Sequence, residues 1–301
     1  MRVMKLAVIG SGMIVNEFLS IVPYLNNIKI NGIYGRKKSY EKLNKIKKQN
    51  NIKNIFYNYE ELLKSDIDTV YICLPNNLHF EFSKKALEAN KNVIVEKPIT
   101  SNYKEAKILS DLARKRVECN YSQYSSRYDD FKKGKVLPVF DPKFSGGALM
   151  DLNIYNIHYI VGLFGRPKNV EYYPNIERGI DTSGILVLDY DKFKCVCIGS
   201  KECKAPISNN IQGDKGCIYQ DNPTNKCERF ELLLNNEESK IINENNYRNR
   251  MIYEFIEFEK MISSNDLNRC FQLLDHSLIV SEVQTVARKK SGIKFAADDL
   301  Y

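Results

Sequence analysis

The chain has 301 residues, 43% of them hydrophobic and 27% charged, and a formal net charge of +8. Such a composition is globular rather than disordered, the length allows two ordinary domains, and no apolar run is long enough to cross a bilayer. Lysines mix with asparagines and isoleucines along the whole chain, as in Lys45-Ile46-Lys47-Lys48-Gln49-Asn50-Asn51; the charge therefore reads as solvated faces, not as a stripe for nucleic acid.

Met1-Arg2-Val3-Met4-Lys5 leads directly into a strand pattern with no signal-peptide region, and the eight cysteines include no CxxC pair. Both features suit a reducing compartment, so the expectation is a cytoplasmic protein. Cys195, Cys197, Cys203, Cys217 and Cys227 crowd one stretch. Their spacing matches no zinc pattern, and Cys195 and Cys197 fit alternate positions of a strand, so no metal is expected.

In chain order, Leu6 to Ile9 reads as a strand, and Phe18, Ile21, Val22 and Leu25 follow at helical spacing. Ile28 to Tyr34 is a second strand, followed by a helix carrying Tyr40, Leu43 and Ile46. Ile55-Phe56-Tyr57 is a short strand and Tyr59 to Lys64 a short helix. Thr69 to Leu74 is nearly all apolar, as a strand covered on both faces should be. A helix over Leu78 to Ala89 and a strand over Asn92 to Val95 follow. Ser101 or Asn102 is placed to cap the next helix, with Glu105 in its first turn. This βαβ alternation predicts a doubly wound parallel sheet over residues 1–116.

Beyond 116 the pattern changes. Gly146 to Phe164 reads as one helix ended by Gly165 and Pro167. Alternating runs follow at Gly184 to Asp189, Lys192 to Ile198, Ser208 to Gln212, Gly216 to Gln220, Phe230 to Leu234 and Lys240 to Ile242. They predict a mostly antiparallel sheet with an open face, closed by helices over Arg248 to Ile262 and Leu267 to Lys289. The fold expected is α/β: an N-terminal dinucleotide-binding Rossmann domain (1–116) and a C-terminal α+β domain (117–301) for substrate and oligomerisation.

Gly10-Ser11-Gly12 joins the first strand to the first helix. The first glycine permits the tight turn and the second lets backbone approach a pyrophosphate at a helix N-terminus, although Val15 replaces the third glycine of the usual fingerprint. At the end of the second strand stands Gly35-Arg36-Lys37-Lys38, with no carboxylate for a ribose hydroxyl. Arg36 and Lys37 can hold a phosphate, so NADP is expected over NAD.

Four motifs, Gly10-x-Gly12-x-Ile14, Leu74-Pro75-Asn76-Asn77-Leu78-His79, Glu96-Lys97-Pro98 and Gly146-Gly147-Ala148-Leu149-Met150-Asp151-Leu152, resemble the Gfo/Idh/MocA oxidoreductases in order and context. The resemblance covers nearly the whole chain. It implies hydride transfer between a nicotinamide and a hydroxyl or carbonyl of a sugar, polyol or related molecule. It also implies cofactor contacts from Gly10, Gly12, Met13, Ile14, Leu74, Pro75, Asn76, His79, Glu96 and Lys97, with Lys97 reaching the substrate as well. For His79 a structural role at a helix start is the competing reading.

Asp151, Tyr155 and His158 follow at i, i+4 and i+7, on one face of a helix. Lys97 and Tyr155 are expected to contact the reacting oxygen, Tyr155 exchanging its proton, Asp151 orienting the pair, and His158 binding substrate or relaying the proton. A phenol titrates near 10, and Lys97 is expected to bring Tyr155 down.

The stretch Leu112 to Tyr121 departs from the family, which usually adds a strand and a helix there. A natural deletion, a segment missing from the sequence, or Val117 to Tyr121 standing in for the sheet strand would each account for it. Two other functions compete: a dinucleotide-binding regulator without turnover, and a glycosidase of the NAD-requiring kind, for which the sequence lacks a Cys/His metal set. The open sheet face is expected to form a homodimer or larger assembly. No nucleic-acid or membrane partner is expected.

Overall fold

The computed structural model describes residues 3–106, 118–120, 127–205, 207–213 and 215–299. Strands β1 (Met4–Ile9), β2 (Ile28–Tyr34), β3 (Asn54–Phe56), β4 (Thr69–Ile72), β5 (Asn92–Glu96) and β6 (Glu118–Asn120) form one parallel sheet. Their order, β3-β2-β1-β4-β5-β6, reverses direction between β1 and β4. Doubly wound folds take their ligands at such a switch point, beyond the carboxyl ends of the strands. Helices α1 (Met13–Ile21), α2 (Tyr40–Gln49), α3 (Tyr59–Lys64) and α4 (Asn76–Glu88) link the strands. Asn102 caps a further helix beginning at Tyr103 by accepting from the Glu105 amide at 2.9 Å, while the Glu105 carboxylate accepts from the Ser101 amide at 3.0 Å.

Because strand side chains alternate, β1 feeds two cores. Met4, Leu6 and Val8 pack with α1 and α2 on one face; Ala7 and Ile9 pack with α3 and α4 on the other. The first core also takes Met251, Ile252, Phe255, Phe258 and Met261 of helix α6 (Met251–Ser264), numbered after α5 (Ile154–Phe164). The first core thus draws on residues from both sides of position 116. The nucleotide sheet takes Glu118–Asn120 as its last strand and a C-terminal helix on its face. This agrees with the third account of the short junction; most of Leu112 to Tyr121 lies outside the described residues.

The second half contains two antiparallel sheets rather than one. β7 (Asn169–Glu177), β8 (Ile180–Asp189) and β9 (Lys194–Ser200) form the first; β10 (Asn209–Gly213), β11 (Gly216–Gln220), β12 (Phe230–Leu234) and β13 (Lys240–Ile242) form the second. Strand β7 has no counterpart in the sequence reading. Pro174 lies within it, which an edge strand tolerates because one side of its backbone needs no partner. Cys195 and Cys197 do lie on one strand, β9, with Cys197 buried. Helices α5 and α7 (Leu267–Lys290) close the core beneath the three-stranded sheet through Ile154, Ile157, Val161, Val280, Val283 and Ala287.

The helix expected from Gly146 starts later and irregularly. Gly147 has φ +104°, outside the helical range, and a π-helical turn over Leu149–Asn153 precedes α5. Asp151, within that turn, and Tyr155 and His158 on α5 therefore do not lie on one regular helix, and a π turn is a distortion that recurs at functional sites.

Candidate active site

The turn after β1 is built for a close-lying ligand. The Gly10 amide donates to the Tyr34 carbonyl at 2.9 Å, which sets the glycine turn against the end of β2. Gly10 has φ +124°, and a Cβ there would lie 2.5 Å from the Cys73 carbonyl oxygen. Gly12, the residue before α1, is extended, has no capping side chain, and would carry its Cβ into open space. The first turn of α1 has no acidic residue, and Met13 is exposed. Free amides at a helix N-terminus beside an uncluttered glycine suit a pyrophosphate. Ile14 packs partly into the core and anchors the turn. Gly10→Ala is expected to cost about 2–4 kcal/mol of stability, from left-handed strain plus the clash with Cys73, measurable by denaturant unfolding.

Arg36 and Lys37 are exposed just past β2, and Leu74 flanks Gly10 from the β4 exit. Pro75 precedes α4, and the Asn76 amide donates to the Ser145 carbonyl at 3.0 Å, tying this loop to the second half of the chain.

Two expected cofactor contacts are corrected. His79 is fully buried, with Nδ1 2.7 Å from the Pro98 carbonyl and Nε2 2.8 Å from the Leu74 carbonyl. Both ring nitrogens face backbone carbonyls, so His79 packs between the β4 and β5 exits; burial lowers its pKa despite those contacts. Glu96 is buried too, and accepts from the Tyr71 hydroxyl. Burial pushes its carboxyl well above the usual range.

Lys97, the next residue, turns the other way. Its Nζ lies 2.8 Å from Asp151 Oδ1 and 3.1 Å from the Asp151 carbonyl oxygen, and 5.1 Å from the centre of the Tyr155 ring. Burial alone would raise the Asp151 carboxyl, but the ammonium groups of Lys97 and Lys201 outweigh it and hold the pKa at about 2. Tyr155 moves opposite to expectation. Burial, then the neighbouring Asp151 charge, push the phenol well above its usual range. Lys97 is engaged with Asp151 and does not pull it down.

Lys97, Tyr155 and His158 open onto one cavity of about 360 Å³, shared with Thr224, Asn225, His276, Ser281 and Gln284. His158 Nδ1 lies 2.9 Å from His276 Nε2. Burial, reinforced by the second imidazole, lowers His158 to about 3, so it is neutral at ordinary pH. It faces substrate space as an uncharged hydrogen-bonding group. Asp151 does not line the cavity; it lies behind Lys97. Lys97, Tyr155, Asp151 and His158 are thus gathered within one region.

Sequence reasoning missed Lys201 and His276. A signal for Lys201 existed: it continues the inward phase Cys197, Gly199, Lys201 of β9, where a charged residue is out of place. His276 had company in Ser277, Ser281 and Gln284, polar groups on the buried stripe of α7. Among the described residues no group of three or more His, Cys, Asp or Glu is arranged to hold a metal ion, and no helix is long and apolar enough to cross a membrane.

The Gfo/Idh/MocA family model, described as an oxidoreductase family with an NAD-binding Rossmann fold, matches residues 4–124. The scyllo-inositol 2-dehydrogenase (NADP(+)) of Bacillus subtilis is 31% identical over 98% of this chain and 99% of its own length. That match runs over 327 aligned positions, more than this chain has residues, so the relative carries positions with no counterpart here. The trans-1,2-dihydrobenzene-1,2-diol dehydrogenase of Xenopus tropicalis is 24% identical over 78% of this chain and 80% of its own. The crystal structure of KijD10, a 3-ketoreductase from Actinomadura kijaniata in complex with NADP and TDP-benzene, superposes with a TM-score of 0.75 at 19% identity, covering 96% of this chain and 98% of that one. With the glycine turn, the β1/β4 switch point and the lysine at the end of β5 in place, the chain belongs to the Gfo/Idh/MocA family of NAD(P)-dependent oxidoreductases.

Proposed function

We propose that the chain interconverts a polyol, of the inositol or sugar kind, and its ketone, with NADP preferred over NAD. The observation that carries this is the convergence of Lys97 and Tyr155 on one cavity at the carboxyl edge of the nucleotide sheet. Its volume is in the range of small-molecule sites, and hydroxyl, amide and imidazole groups line it, as a polyhydroxylated ligand requires. The near full-length likeness to an inositol dehydrogenase supports the substrate class.

Gly10, Gly12 and Met13 would receive the pyrophosphate, Leu74, Pro75 and Asn76 would flank it, and Arg36 and Lys37 would hold the 2′-phosphate. The dinucleotide supplies or accepts the hydride. Lys97 donates a hydrogen bond to the reacting oxygen, and Tyr155 moves its proton to or from that oxygen. Asp151 fixes the Lys97 ammonium, and His158 with His276 binds further hydroxyls. In this division of labour residues 1–116, with Glu118–Asn120 as the last strand of their sheet, form the dinucleotide unit and the rest of 117–301 the substrate unit. A regulator without turnover would have no use for this constellation.

The test is a fluorescence titration with NADPH and NADH, followed by inositols, other polyols and ketoses with the preferred cofactor. Scyllo-inositol oxidation by NADP+ is the result expected. Failure of both dinucleotides to bind would overturn the reading. Arg36→Glu is expected to weaken NADPH roughly 10- to 100-fold and leave NADH little changed, since it removes hydrogen bonds to a charged phosphate.

The open face of the three-stranded sheet is proposed as a self-association surface. Tyr173, Ile185 and Ile198 sit side by side across β7, β8 and β9, and are 64%, 45% and 67% exposed. A contiguous apolar row of this kind calls for a covering partner, and a second copy presents the same surface. Light scattering should give a dimer or larger, and Ile198→Lys should shift it toward monomer; a wild-type monomer would refute the assignment. A reducing, cytoplasmic setting fits the scattered free thiols.

A further inference from the structure

Asp151 has a second cationic partner that no substrate can reach. Lys201, immediately after β9, has a fully inaccessible side chain. Its Nζ pairs with Asp151 Oδ2 at 2.9 Å, donates to the Val139 carbonyl at 2.7 Å and lies 4.6 Å from the centre of the Phe140 ring. Burial lowers its pKa, and Asp151 opposes that shift. A sealed lysine is an uncommon use of the residue, and its position here sets a charge balance.

With both ammonium groups protonated, Lys97, Asp151 and Lys201 together carry one surplus positive charge; the Glu254 carboxylate lines the same cavity outside this triad. Asp181, whose field also reaches Lys201, faces elsewhere: it accepts from the Leu149 amide at 2.6 Å and the Tyr172 hydroxyl at 2.7 Å, and burial raises its carboxyl. Of the three members of the triad only Lys97 lines the cavity. Two of its three N–H groups are directed at Asp151, which leaves one for a ligand.

We propose that Lys201 is a positioning residue for the reaction: by sharing Asp151 it prevents that carboxylate from neutralising Lys97, so that the surplus charge is presented where the substrate oxygen becomes negative. With Lys97 and Asp151 alone, the pair would be held in place but electrically neutral. Preorganised positive charge at a developing oxyanion acts most strongly in a water-poor site. The inference rests on the reading that Lys97 meets the reacting oxygen.

The test is a double-mutant cycle of Lys201→Met and Asp151→Asn, assayed by NADPH formation from NADP+ and the polyol that the panel selects, scyllo-inositol being the first tried. Lys201→Met should lower kcat about 10- to 100-fold, with NADP+ binding by fluorescence unchanged. In the Asp151→Asn background Lys97 is no longer compensated, so the same substitution should change kcat by less than about threefold. A role limited to packing would give equal losses in both backgrounds, and that result overturns the proposal, as does an unchanged kcat in Lys201→Met. The double variant removes both members of the sealed Lys201–Asp151 pair and leaves Lys97, at the cavity wall, as the one uncompensated charge of the three, so comparing it with Asp151→Asn remains decisive if Lys201→Met does not fold. Lys97→Ala separates the two readings. Near-normal turnover there defeats the assignment of Lys97, whereas an inactive Lys97→Ala beside unaffected Lys201 variants defeats only this inference.

Discussion

Tyr155→Phe is expected to lower kcat about 10²–10⁴-fold, the usual contribution of a positioned proton-transfer group, with little change in dinucleotide binding. The substitution deletes one oxygen from a largely buried ring and leaves the packing of α5 intact. Its pH behaviour should be distinctive. Burial holds the phenol in its protonated form far above neutrality, Asp151 stays ionised down to about 2, and His158 stays neutral down to about 3. Each of these groups keeps one charge state from about pH 5 to about pH 9, so kcat for carbonyl reduction should be nearly flat over that range. A protonated phenol is already the acid that reduction needs; oxidation requires the reverse transfer and should gain with rising pH. If Tyr155→Phe kept near-normal turnover while His158→Ala lost it, the proton role would belong to the imidazole instead. A limb near pH 6 that vanished in His158→Ala would say the same.

Lys97→Ala should reduce turnover by about 10²–10³-fold, the scale seen when a preorganised donor to a developing negative charge is removed. The loss should fall mainly on kcat, because Gly10, Gly12 and Arg36, which would hold the dinucleotide, lie on other loops. Stability should fall too. Asp151 would keep Lys201 but lose the partner of Oδ1, and a buried carboxylate with one partner removed is poorly compensated. Unfolding by denaturant alongside NADPH titration separates the two effects. An unchanged Kd for NADPH with a collapsed kcat is the expected pattern.

Much of the nucleotide-binding half was legible in the amino acids alone. Its strands are short apolar runs and its helices amphipathic, so each element announces itself within a window of ten residues or so. The glycine turn and the lysine after β5 were legible for a related reason: each chemistry-bearing group sits directly at a strand end, and a parallel sheet brings strand ends together. Asn102 as a helix cap is equally local.

What resisted was long-range or irregular. β7 hid behind Pro174, and the π turn around Asp151 interrupts the regular helix on which the spacing had placed three groups. His79 and Glu96 carry motif positions, yet burial assigns one to bracing two loops and the other to a buried pair with Tyr71. Sequence by itself determined which local elements form and which strand ends carry chemistry, because those properties depend on neighbours in the chain. Only the tertiary structure decided which charges meet: Lys97 finds Asp151 across 54 positions, and His158 finds His276 across 118. Such pairings are set by how the layers pack, and no window of sequence contains both partners.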